Sequence, residues 1–473
     1  MVQVTYVPPE SDDSDDPHLG WRTMTTVSPD DATARATSAP PVAAPPATSV
    51  RKVAVASGIG TTIEFYDFFI YGTAAALVFP TVFFPALGST AGTVASFATF
   101  AVAFIARPAG AVLFGHFGDR IGRKKTLIST LLLMGVSTFV IGLLPGAATI
   151  GVAAPIILVV LRFGQGFAVG GEWAGATLLT AEYAPAKRRG FYGMFPQLGP
   201  AAAFILSSAT FLVTGAVFGD TNDTFLNYGW RIPFLFSAVL VLIGLYMRLA
   251  IEETPVFKAD QAAAAATPSA PTRLPVLEAW HVQKREVLLA AGALASLFSL
   301  FYMGTAYLTS YGTKTLGFDR PFVLWTGIVG AVIFGITIAL SATFSDRVGR
   351  RKVIMVSCAV AVPWSLALFP ILDSGSSTAY VIAMCVTLSI FGIAYGPTGA
   401  LLPELFQTRF RYTGAGLGYN LAGVLGGAIP PLLAAPLTAQ FGSIAVGVML
   451  ALLSVLSLIC TRALVETKNN DLT

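Results

Sequence analysis

The chain has 473 residues, 55% of them hydrophobic and only 11% charged, with a mean hydropathy of +0.72. Soluble globular domains carry about 25% charged residues, so this composition excludes a soluble enzyme and predicts an integral membrane protein. The net charge of +4 does not indicate a nucleic-acid partner, because the basic residues are distributed by topology, as the loops show.

Residues 1–50 hold an acidic run (Ser11 to Asp16) and a Pro/Ala/Thr stretch (Ala39 to Val50) with few large apolar groups. Such a segment cannot offset its chain entropy, and a disordered cytoplasmic tail is predicted. It does not read as a secretory signal, since the first apolar run follows Arg51 and Lys52 and is too long for a cleaved peptide. From Val53 onward the sequence falls into about twelve apolar segments of roughly 20 residues, the length that crosses a ~30 Å hydrocarbon core. They are placed near 53–79, 91–116, 126–145, 152–182, 190–218, 231–251, 286–311, 321–344, 353–371, 378–402, 412–435 and 440–464. The predicted architecture is an all-α membrane protein of twelve transmembrane helices in two pseudo-repeated halves, residues 51–251 and 286–466. A linker over 252–285 joins the halves, and a short tail over 467–473 follows them.

Cytoplasmic loops retain Lys and Arg. Outside the tail and the apolar segments, every Lys and Arg except Arg231, Lys314 and Arg320 falls on one predicted side, which places both termini in the cytoplasm. The cysteines Cys358, Cys385 and Cys460 each lie in an apolar run without metal-site or disulfide spacing, so reduced thiols and no metal or other cofactor are expected. No phosphate-binding Gly-x-x-x-x-Gly-Lys-[Ser/Thr] run occurs.

The octapeptide Gly118-Asp119-Arg120-Ile121-Gly122-Arg123-Lys124-Lys125 recurs as Ser345-Asp346-Arg347-Val348-Gly349-Arg350-Arg351-Lys352, each copy joining the second and third helix of its half. A weaker echo pairs Glu182 to Arg189 with Glu404 to Arg411. Asp119 and Asp346 can accept from nearby Arg or from a facing helix N-terminus and so latch one access state. Gly115, Asp119, Arg120, Arg123, Asp346, Arg347 and Arg350 are the gating candidates, joined by Glu182, Arg189, Glu404 and Arg411. The rival reading is a basic loop that only sets topology; it explains the Lys and Arg but not the repeated Asp and Gly.

Gly115, Asp119, Arg120, Gly122, Arg123 and Lys125 match the loop signature G-x-x-x-D-R-x-G-R-R-K, with Lys124 at the remaining basic position, and the chain here resembles the major facilitator superfamily. More narrowly, four stretches resemble its metabolite:proton symporters, the group of shikimate, 2-oxoglutarate, citrate and proline/betaine carriers: Gly60 to Gly72, Arg162 to Trp173, Gly229 to Phe234 and Glu252 to Pro255. The resemblance covers about Val53 to Glu466. It implies a proton-coupled secondary symporter of the inner membrane that imports a small metabolite by alternating access. Only about nine residues follow the last helix, whereas the osmosensing betaine carriers bear a long coiled-coil extension, so an osmosensor is not expected.

Ionisable groups inside hydrocarbon cost about 2.5–3.5 kcal/mol or more each, which makes them functional candidates. Away from the segment ends the chain keeps five: Glu64, Asp67, Arg107, Arg162 and Glu172. Counted from the basic ends at 1.5 Å per residue, Glu64 and Arg107 lie about 18 Å up, and Asp67 and Glu172 about 22 Å, with Arg162 nominally higher. Three acids against two guanidiniums leave one acid without a fixed partner, suited to carrying a proton. Asp67 is the first candidate, with Arg162 as its alternating partner; sugar:proton symporters of the superfamily have a similar Tyr-Asp and Arg. Glu64 with Arg107, or Glu172, is the rival carrier, and a static network holding the helices together is the structural alternative. For the substrate, the second half offers no buried charge in its segments, only Tyr302, Tyr307, Tyr311, Tyr395 and Asn420. Arg107 or Arg162 is then the carboxylate anchor, because a guanidinium binds a carboxylate bidentately. His116 is read as structural. The expected partners are a small organic acid or zwitterion, protons and the lipid bilayer, with the chain a monomer. A proline/betaine carrier is the alternative within this class, and a channel or membrane sensor the alternative outside it.

Overall fold

A computed structural model describes residues 50–121, 123–219, 222–250, 275–407 and 411–468; the side chains of residues 115–121, 123, 124, 127, 248, 250 and 275–279 are outside that description. The tail over 1–49 and most of the linker lie outside the described residues.

The described chain is helical: α1 (Val50–Leu77), α2 (Gly88–Ile121), α3 (Arg123–Leu143), α4 (Ala153–Tyr183), α5 (Arg189–Phe218) and α6 (Arg231–Ala250) make the first half. The second half consists of α7 (Trp280–Lys314), α8 (Arg320–Val348), α9 (Arg350–Leu372), α10 (Ser377–Leu405), α11 (Arg411–Phe441) and α12 (Ser443–Ala463). Among the described residues, 11 of these have the length and hydropathy to cross a membrane; the twelfth, α3, has a shorter apolar stretch, Ile128–Leu143. Helical backbone leads into α7 from Pro275, inside the expected linker, and α7 itself bends at Gln283, whose dihedral angles are non-helical.

The halves repeat their packing. α1 lies along α5 as α7 lies along α11, α2 packs on α4 as α8 packs on α10, and α3 pairs with α6 as α9 pairs with α12. Across the halves, α5 meets α8 and α2 meets α11, again a related pair. Residues 63–76 of α1 and 290–312 of α7 are buried without interruption, as expected for helices that are enclosed all round. The peripheral helices instead expose large apolar side chains, including Val136 on α3, Leu242 on α6, Val356 on α9 and Leu452 on α12, a face suited to lipid.

Two departures from straight helices shape the interior. The expected continuous segment 152–182 is broken at Gly170 and Gly171, between Ala153–Val169 and Glu172–Tyr183. π-Helical turns interrupt α7 at Met303–Tyr307 and α11 at Gly423–Ala428; such turns leave the regular i−4 ladder and re-aim neighbouring side chains. α2 and α4 touch backbone to backbone: a Cβ on Gly110 would lie 1.8 Å from the Phe167 carbonyl oxygen, and one on Gly170 2.0 Å from that of Arg107. Only glycine permits this approach, and it brings Arg107 and Arg162 to the same aromatic layer.

Candidate functional site: a buried acid–arginine layer

The sequence-predicted intramembrane ionisable residues are all buried: Glu64, Asp67, Arg107, Arg162 and Glu172 are each exposed by 4% or less. α1 carries Glu64 and Asp67 one turn apart, and both line a small cavity with Phe68, Met134, Arg162, Gln165, Gly166 and Val169. Asp67 and Arg162 are not in direct contact. They are joined through two side chains that the sequence reading passed over. Arg162 Nη1 donates to Gln165 Oε1 at 2.9 Å, Gln165 Nε2 donates to Thr138 Oγ1 at 2.6 Å, and Thr138 Oγ1 donates to Asp67 Oδ2 at 2.9 Å. Gln165 lies within the motif Arg162 to Trp173, three residues from the arginine; Thr138 has no motif, and its only sequence signal is a hydroxyl in the apolar α3.

The guanidiniums rest on aromatic rings. Arg162 sits 3.8 Å from the Tyr71 ring centre and 4.5 Å from that of Phe68, while Arg107 lies 4.8 Å from Phe68 and 4.7 Å from Phe104. Both cations therefore contact one ring, at a common level rather than at the different heights expected from residue counting. Ring quadrupoles offset part of the desolvation of each cation without neutralising it. Arg107 also faces α7 and α11: Tyr302 packs edge-on to Phe104 at 4.8 Å and is an electrostatic neighbour of Arg107, and a Cβ on Gly423 would come within 4.0 Å of the guanidinium. Glu64 is an electrostatic neighbour of Tyr302 and Tyr395.

The second-half candidates separate into groups. Tyr302 belongs to the arginine layer, and its hydroxyl has no hydrogen-bond partner among the described residues. The Tyr395 hydroxyl lies 3.1 Å from that of Tyr419, whose ring stacks on Trp173 at 3.7 Å. Trp173 donates to Gln197 at 3.2 Å, and Gln197 donates to the Tyr395 carbonyl at 3.0 Å, closing a ring of contacts between the halves. Asn420 donates to the carbonyl of Gly170, at the break in α4. Tyr307 and Tyr311 lie apart from the arginines, bonded to Thr438 and Asp373 respectively. The reading that the second half has no buried charge needs amendment: Arg350, Glu404 and Arg411 are buried at its basic end and Arg320 at the other.

At the basic end the Asp346 carboxylate accepts from the N–H groups of Gly190 at 2.9 Å and Phe191 at 3.0 Å, capping the N-terminus of α5 from α8. Arg350 pairs with Asp346 at 2.7 Å and with Glu404 at 3.3 Å. Arg189 is an electrostatic neighbour of Glu404, and both Glu182 and Arg189 neighbour Arg411. The structure thus brings together Glu182, Arg189, Asp346, Arg350, Glu404 and Arg411. Arg347 is exposed, and its carbonyl accepts from Lys468. The side chains of Gly115, His116, Asp119, Arg120 and Arg123 lie outside the described residues. At the opposite end Lys314 on α7 donates to Thr93 on α2 at 2.9 Å, so the halves touch at both ends.

A sequence profile described as the Major Facilitator Superfamily matches residues 58–431. The inner membrane metabolite transport protein YhjE of Escherichia coli (strain K12) is 45% identical over 432 residues, covering 90% of this chain and 97% of that protein. The shikimate transporter of the same organism is 39% identical over 402 residues, covering 83% and 88%. Among solved structures, a crystal structure of a D-xylose-proton symporter superposes with a TM-score of 0.69 at 19% identity, covering 89% of this chain and 99% of that one, a likeness of fold. The chain belongs to the Major Facilitator Superfamily and is a membrane-spanning transporter, not an enzyme.

Proposed function

We propose that the chain is a proton-coupled symporter that imports a small carboxylate-bearing metabolite by alternating access, with both termini in the cytoplasm. The observation that carries this reading is the buried chain from Arg162 through Gln165 and Thr138 to Asp67. Burying an acid and a guanidinium in membrane-spanning helices is costly, and a neutral pair would pack as well, so their chemistry is what the site retains. Asp67 carries the proton. Arg162 answers its charge, and Glu64 and Glu172 complete the buried acids. Arg107, at the seam between α2, α7 and α11, anchors the substrate carboxylate, with Tyr302 beside it. Tyr395 and Asn420 hold the seam on either side of Trp173 and Gly170. The names of the relatives support a metabolite as cargo, and the concentration of Lys and Arg at one end supports cytoplasmic termini.

Alternating access follows from the two sets of end contacts. Opening toward one side breaks the bonds from α5 to Asp346; opening toward the other breaks the bond from Lys314 to Thr93. A zwitterionic compatible solute is the second reading. It is favoured by the rings of Phe68, Phe104 and Tyr302 near Arg107, which can face a quaternary ammonium while the arginine takes its carboxylate. The test is uptake of labelled shikimate, 2-oxoglutarate, citrate, proline and betaine into proteoliposomes with a pH gradient imposed or collapsed. Accumulation of one compound only with the gradient is expected; uptake that equilibrates regardless of the gradient refutes proton coupling.

A further inference from the structure

We propose that Thr138 and Gln165 act as a reversible hydrogen-bond bridge that reports the protonation of Asp67 to Arg162, with the Thr138 hydroxyl as the element that reverses. This rests on Asp67 being the proton carrier. Thr138 Oγ1 has one hydrogen and two acceptors within reach, Asp67 Oδ2 at 2.9 Å and the Met134 carbonyl at 3.0 Å, and it accepts from Gln165 at 2.6 Å. A single hydrogen cannot serve both acceptors, so two arrangements exist. With Asp67 ionised, the bonds run one way: guanidinium to Gln165 oxygen, Gln165 amide to Thr138, Thr138 to carboxylate. With Asp67 protonated, its O–H donates to Thr138 Oγ1, which still accepts from Gln165 and turns its own hydrogen to Met134. Every donor on the path has an acceptor in both arrangements, and one proton has been added at Asp67.

Asp67, Thr138, Arg162 and Gln165 are each buried to 2% exposure or less, so water does not compete for these bonds. Asp67 lines the cavity beside the chain, and its Oδ1 has no hydrogen-bond partner among the described residues, so the carboxyl is free to present its proton on the oxygen that faces Thr138. Arg162 is held by only one of these links: its Nε and Nη2 have no hydrogen-bond partner among the described residues, and its remaining support is ring faces. Loss of the negative charge at the far end of the bridge leaves the bond from Arg162 to Gln165 made but removes the charge that polarises the chain, so the hold on the guanidinium weakens through the bridge. Other ionisable groups near Asp67 and Arg162 are Glu64, Tyr66 and Tyr71 on α1, Arg107 on α2 and Tyr302 on α7. The closest side-chain donor to the Asp67 carboxylate is the α3 hydroxyl. α5 and α6 reach this region through Tyr66, bonded to Thr210 and the Pro233 carbonyl.

The test reads Asp67 without needing a substrate: infrared difference spectra of the reconstituted full chain during a pH titration. A protonated-carboxyl band that Asp67→Asn abolishes belongs to Asp67. Thr138→Val keeps the shape but removes the donor to the ionised acid and the acceptor of the protonated one, so the band should persist to a pH about one unit higher, the excess of a hydrogen bond to a charged group over one to a neutral group. Its frequency should also rise as the protonated acid loses its acceptor. Thr138→Ser should restore both. If Thr138→Val does not yield folded protein, Thr138→Ala carries the same expectation. An unchanged midpoint and frequency in the Val or Ala variant overturns the bridge alone. A spectrum that Asp67→Asn leaves intact overturns the proton-carrier reading and the bridge with it.

Discussion

Replacing Asp346 by Ala removes the carboxylate that ties α8 to the start of α5. That group accepts two backbone N–H bonds, at 2.9 and 3.0 Å, and pairs with Arg350 at 2.7 Å. A hydrogen bond to a charged group contributes about 1.5–3 kcal/mol, and the two N–H bonds share one acceptor, so their joint loss amounts to about 2–4 kcal/mol. Arg350 keeps Glu404 at 3.3 Å and Ser345 at 3.2 Å, so the substitution does not orphan a buried cation. Both N–H bonds cross between the halves. The whole penalty therefore falls on the state closed at the basic end, and the ratio of open to closed molecules should rise by roughly 30- to several-hundred-fold. The assay is pulsed electron–electron double resonance in liposomes, with nitroxides at Arg188→Cys and Lys352→Cys, both exposed positions at that end, and Cys358, Cys385 and Cys460 replaced by Ala. Asp346→Ala should add a longer-distance population, and Asp346→Asn, which keeps an acceptor without the charge, should lie between. Identical distance distributions in all three proteins would refute the reasoning that this cap holds the end closed.

Asp67→Asn should still exchange labelled for unlabelled substrate across the membrane yet fail to accumulate it under a pH gradient; a variant that accumulates normally removes Asp67 from coupling. Arg107→Lys keeps the charge but loses the planar fork and its contact with Phe68 and Phe104, so the apparent substrate affinity should fall by about tenfold or more, read from the concentration dependence of uptake. Gly110→Ala should destabilise the protein by about 1–3 kcal/mol or prevent its folding, since the added Cβ would meet the Phe167 carbonyl, with thermal melting in detergent as the readout. Gly60→Ala, in α1 with nothing within 4 Å, is the control and should melt at or above the wild-type temperature.

Much of this architecture can be read from residues alone, because the bilayer acts on each segment separately. A helix must be long and apolar enough whatever its neighbours, which is why the twelve segments and the repeat at Asp119 and Asp346 are legible without coordinates. The same cost marks Glu64, Asp67, Arg107, Arg162 and Glu172 as residues that need partners. What those partners are is a different matter. Thr138 lies 71 residues from Asp67 and 27 from Gln165, and nothing in its local sequence separates it from other hydroxyls in apolar helices. Whether Arg107 and Arg162 share a level depends on the close crossing of α2 and α4 at Gly110 and Gly170, not on a count of residues from a helix end. The separation of Tyr302 from Tyr307 and Tyr311 likewise depends on the π-helical turn that begins between them. The hydrophobic requirement is a property of each segment summed along the chain, whereas hydrogen-bond partners are set by crossing angles and rotations among helices distant in sequence, which only the packed structure decides.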